Sequence, residues 1–228
     1  AVASQTPNLK EYQIRDPGGD WQPTPNLFTL DIGARKEWHL RSVNVAGVAP
    51  IMVYLAETRE VVTISGLGWW PKAASCEFFN THHGGTIPLG VLQSVVPSAL
   101  DAWVTALERF GTMSFGEVSA EATRLAREGF VMYPLMAERI EHFAKNTRKW
   151  ASNAEIYLPG GDAPRAGDLF VQSDLGRTLQ FLADEEGAHA GDGRAAGLGA
   201  VRDAFYRGDI ATSIIRHQSE NGGLLTAE

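Results

Sequence analysis

Two short apolar runs, Ile51-Met52-Val53-Tyr54-Leu55 and Val61-Val62-Thr63-Ile64, flank the polar stretch Glu57-Thr58-Arg59-Glu60. Each is too short for an ordinary helix, so the pair reads as two strands joined in a hairpin. Neither run alternates apolar with polar residues. Strands of that kind need cover on both faces, which places the hairpin inside a layered fold.

Downstream the apolar spacing changes from strand-like to helical. After Pro97, Leu100, Trp103, Val104, Leu107 and Phe110 recur at helix spacing until Gly111. Ser114 and Glu117 form a capping box for a second helix that Gly129 ends. Pro134 suits the first turn of a third, with Leu135, Ile140 and Phe143 expected on its buried side. Ser173 or Asp174 is expected to cap a fourth, burying Leu175, Leu179 and Leu182 and stopping at Gly187. Asp209 is placed to cap a fifth, with Ile210, Ile214 and Ile215 inward until Asn221-Gly222-Gly223. Strands early and a helical cluster later indicate an α+β protein. Residues 1–42, with Asp16-Pro17-Gly18-Gly19 and Pro23-Thr24-Pro25-Asn26, read as an irregular arm with at most one short strand near Leu27–Ile32.

Bulk properties exclude several classes. A net charge of -7 leaves no positive field for phosphate backbones, so nucleic acid is not an expected partner. No apolar run reaches the roughly 20 residues that span a bilayer. Ala1–Lys10 lacks a charged segment followed by an apolar one, so any signal peptide is expected to be already removed or never to have existed. The single cysteine, Cys76, rules out an intrachain disulfide and a cysteine-based zinc site without fixing the compartment. A soluble protein is expected, its compartment unknown and either cytoplasm or periplasm left open.

Several stretches together resemble the large-subunit region of the γ-glutamyltranspeptidase family. They are Val95-Val96-Pro97-Ser98-Ala99, Leu107-Glu108-Arg109-Phe110-Gly111 and Arg124-Leu125-Ala126-Arg127-Glu128-Gly129-Phe130. A more specific block follows, with Gly167-Asp168-Leu169, Gln172-x-Asp174-Leu175, Ala204-Phe205-Tyr206-Arg207-Gly208-Asp209 and Gly222-Gly223-Leu224-Leu225-Thr226 in order. With Gly47–Ala74 as a weaker match, residues 43–228 are expected to form an incomplete large-subunit region that lacks the small subunit. The resemblance implies part of an α-β-β-α N-terminal nucleophile hydrolase sandwich, made as a precursor that cuts itself in two. It further implies an amidohydrolase or acyltransferase acting on a small amide or acyl substrate, with no cofactor and no metal. Its nucleophile would be a threonine at the start of a downstream small subunit, the expected partner. A hydroxyl needs a base within hydrogen-bond reach, and the threonine's own α-amine, of unperturbed pKa near 8, would supply it. No catalytic residue is therefore expected in this chain, and Thr226 reads as a turn or cap. The competing expectation is a catalytically silent helical binding or scaffold module of the same family.

Two departures from the family pattern stand out. Residues 1–42 lack its Gly-Gly-Asn-Ala-x-Asp-Ala helix, and Val43–Val48 runs straight into the first strand. In the segment Ser65-Gly66-Leu67-Gly68-Trp69-Trp70-Pro71-Lys72, aligning Pro71 with the family's proline puts Leu67 where γ-glutamyl enzymes carry an arginine for the substrate's α-carboxylate. A leucine cannot make that bidentate pairing. Leu67, Trp69, Trp70 and Lys72 are the candidate substrate-binding residues. The tryptophans read either as walls of an acyl pocket or as a structural turn packed into the core. Lys72 reads as a replacement cation or as an exposed lysine beside a turn.

Other constellations read as structural. His82-His83 is expected in a solvent-facing loop, since no further ligands stand at zinc spacing. Gly191-x-Gly193-x-x-Ala196 follows a helix, not a strand, and reads as a flexible glycine-rich insertion. Asp184-Glu185-Glu186 reads as an exposed acidic helix end, and Cys76 as a buried or inert thiol.

Overall fold

In the computed structural model, residues 13–15, 21–23 and 47–227 are described. The hairpin forms as β3 (Ile51–Leu55) and β4 (Glu60–Ile64), antiparallel, with Ile51 opposite Ile64 and Val53 opposite Val62. Arg59 takes φ 59 in the connecting turn. Ile51, Val53 and Ile64 face α2 (Ala99–Phe110), while Met52 and Val61 on the other side are more than half exposed. The expectation of cover on both faces therefore holds for one face only. In the arm, Gln13–Arg15 (β1) and Trp21–Pro23 (β2) pair antiparallel, where irregular chain was expected. The turn residues between them and the strand expected near Leu27–Ile32 lie outside the described residues.

Helix α2 presents two different faces. Its small residues Ala99, Ala102 and Ala106, at spacings of three and four, let the hairpin lie close against it. Leu100, Val104 and Leu107 point into the main core instead, where they meet Phe115, Leu179, Leu182, Leu198, Val201 and Phe205. Leu100, Val104, Leu107, Leu182, Leu198 and Val201 are fully buried. Each such side chain stabilises the fold by roughly 1.5–3 kcal/mol. The N-terminus of α2 is satisfied from outside the helix. Ser98 and Ala99 N–H groups donate to the Gly47 carbonyl, and Asp101 N–H donates to the Tyr206 hydroxyl at 3.1 Å.

Helix α3 (Phe115–Glu128) starts with the expected capping box: Glu117 N–H donates to Ser114 Oγ, and Ser114 N–H donates to the Glu117 carboxylate. The next two free donors, Phe115 and Gly116 N–H, go to Glu186 at 2.8 and 2.7 Å. Glu186 is 7% exposed, so the acidic stretch 184–186 is not a free helix end throughout. Its buried carboxylate is stabilised by the positive end of α3.

Helix α6 (Ser173–Ala188) runs through Gly187, and its N-cap is Gln172 without a side-chain cap. Helix α7 (Arg194–Tyr206) begins at N-cap Gly193, φ 96, so the supposed glycine-rich insertion opens a central helix. Its Leu198, Val201 and Phe205 fill the core. At Gly197 the packing is tight, since a Cβ would meet Glu186 Cγ at 3.0 Å and its carbonyl oxygen at 3.2 Å. Arg202 ties α7 to α2 by donating to Asp101 at 2.6 Å and pairing with Glu108 at 3.0 Å. Helix α8 (Asp209–Glu220) has Gly208 as N-cap, so Asp209 is its first helical residue and not the cap.

A smaller cluster joins β5 (Phe130–Val131), paired with β6 (Leu169–Phe170), to α4 (Pro134–Thr147). Met136, Ala137 and Ile140 pack here beside Met132 and Phe170. Leu135 and Phe143 are exposed, contrary to the expected stripe, and the buried residues of α4 are Ala137 and Ala144 instead. Two short α-helices, α1 (Cys76–His83) and α5 (Ala151–Tyr157), and three single-turn 3-10 helices, Val91–Gln93, Pro159–Gly161 and Ala190–Asp192, complete the described elements.

Candidate functional site

The segment after β4 is fixed by its glycines. Gly66 has φ 53, and a Cβ there would lie 2.2 Å from the Ala49 carbonyl oxygen; Gly68 has φ 70, and its Cβ would lie 2.0 Å from that of Val96. Only glycine accepts both the left-handed backbone and the close approach. Ala49 N–H donates to Gly66 O at 2.8 Å, and Val96 N–H donates to Trp69 O at 2.9 Å. Pro71 is buried, and Ser75 Oγ accepts from Phe78 N–H to start α1.

This bracing presents the candidate residues outward. From Val61 to Trp69 the odd-numbered residues are exposed and the even-numbered ones partly buried, with Leu67 at 55% and Trp69 at 85% exposure. Trp70 is also exposed, so the tryptophan pair is not a turn packed into the core. Lys72 is exposed as well. The four residues thus share one loop without closing a cavity. An open cleft of about 640 Å³ lies elsewhere, between α6 and α8, and none of the four lines it.

His82 and His83 sit in the last turn of α1, not in a loop, and His82 stacks on Phe78 at 4.9 Å. Cys76 is the exposed first residue of that helix, not a buried thiol. Among the described residues no group of three His, Cys, Asp or Glu could hold a metal ion. Sequence reasoning missed Glu186 and Arg194 as bracing groups. Arg194 donates to Leu107 O at 2.5 Å and to Met113 O, closing the carbonyl end of α2. The one available signal was the pattern Leu198, Val201, Phe205 at helical spacing beyond the glycines.

The sequence pattern of the Gamma-glutamyltranspeptidase family matches residues 39–228. The chain belongs to the γ-glutamyltranspeptidase family. It is 30% identical over 182 residues to the glutathione hydrolase-like YwrD proenzyme of Bacillus subtilis (strain 168), covering 78% of this chain and 31% of that relative. It is 29% identical over 194 residues to the acylase ACY 1 proenzyme of Pseudomonas sp. (strain SE83), covering 80% and 32%. The fold matches the crystal structure of Helicobacter pylori γ-glutamyltranspeptidase with a TM-score of 0.69 at 23% identity, over 82% of this chain and 50% of that one. The α+β architecture is accordingly that of part of the N-terminal nucleophile hydrolase sandwich, as expected. The chain spans about a third of the length of the curated relatives it matches. Among the described residues, no helix is long and apolar enough to cross a membrane.

Proposed function

We propose that this chain forms part of the large subunit of a γ-glutamyltranspeptidase-like amidohydrolase or acyltransferase. Its nucleophilic threonine lies on a small subunit cut from the same precursor. The match over residues 39–228 carries this reading, and relatives named both as glutathione hydrolases and as acylases support it. Residues 43–228 make up nearly all of the family region, whose match begins at residue 39, and the residues before it form an arm. The outer side of β3 and β4, with Met52 and Val61 exposed, receives the partner subunit.

The loop bearing Leu67, Trp69, Trp70 and Lys72 contacts the acyl group of the substrate. With leucine aligned at the arginine position, that group is not γ-glutamyl but one that lacks an α-carboxylate. The aromatic side chains supply apolar contact area and one N–H donor each.

Two measurements test the reading. The coding sequence downstream of residue 228 is expected to contain a threonine at a cleavage junction followed by a glycine-containing oxyanion motif. If both are absent, the enzyme assignment fails. The purified 228-residue chain alone is expected to show no amide hydrolysis, and measurable turnover would overturn the placement of the nucleophile.

A further inference from the structure

We draw no further inference here: the strongest candidate, the open cleft between α6 and α8 walled by Phe181, Ile210 and Ile214, is an unpartnered apolar face, and nothing in the structure shows what covers it.

Discussion

Leu67 is the residue on which substrate choice turns in the proposed enzyme. A charge-assisted hydrogen bond is worth roughly 1.5–3 kcal/mol, so a missing bidentate pair lowers binding of a γ-glutamyl group by about two orders of magnitude or more. Leu67→Arg in the processed holoenzyme is expected to raise kcat/KM for a γ-glutamyl anilide relative to an uncharged amide. A wild-type enzyme that already strongly prefers the glutamyl substrate would show that another residue holds the carboxylate. Tyr206 offers a second test at this scale. Burial pushes its phenol up to about 12, outweighing the opposite pull of the Asp101 N–H it accepts from. The folded state therefore favours the neutral phenol. Its contribution to stability is full below the ordinary value of 10.0 and is lost as pH rises through about 12. In an absorbance titration of phenolate formation, Tyr133 should also ionise above the ordinary range because of its burial, and Tyr206→Phe should abolish the step near 12.

At the scale of elements, Gly66 decides whether the hairpin and its loop stay on α2. Gly66→Ala combines a left-handed backbone with a clash against the Ala49 carbonyl, and it should cost about 1–3 kcal/mol. The expected signature is faster amide exchange in β3 and β4, with protection in α6 and α7 retained. Unchanged exchange in the hairpin would mean that the loop relaxes without loss. The sequence showed the hairpin, α2 and the capping box of α3 plainly, because each combines a clear period with a strong terminal signal. It hid α7 because Gly193, Gly197 and Gly199 are poor helix formers in isolation. At Gly197 the cause is packing against Glu186, which local propensity does not report. The same contrast holds for the proposed site: Leu67 and the tryptophans are candidates raised by the sequence alone. The close contacts of Gly66 with Ala49 and Gly68 with Val96, which turn them outward, depend on tertiary approach.

Across the whole molecule, the exposed Met52, Val61, Leu67, Trp69 and Trp70 concentrate apolar surface on the hairpin and its loop. Surfaces of this kind mark interaction sites. Co-expression with the downstream polypeptide is expected to yield a stable complex and to suppress binding of an apolar dye by the isolated chain. Dye binding that is equal in both samples would count against the proposed partner surface. Glu186 acts on the same global scale, because α6 reaches back to cap α3. Its replacement by alanine removes two charge-assisted hydrogen bonds and should cost about 2–4 kcal/mol in urea unfolding. The contact spans 71 residues, whereas Ser114 and Glu117 close their box across three. The near contact can form as soon as the chain turns, but the distant one must wait for loop closure. Folding of α3 is thus expected to begin with its local cap and finish only when α6 docks. Glu186→Ala should then accelerate unfolding while leaving the folding limb of a denaturant chevron nearly unchanged.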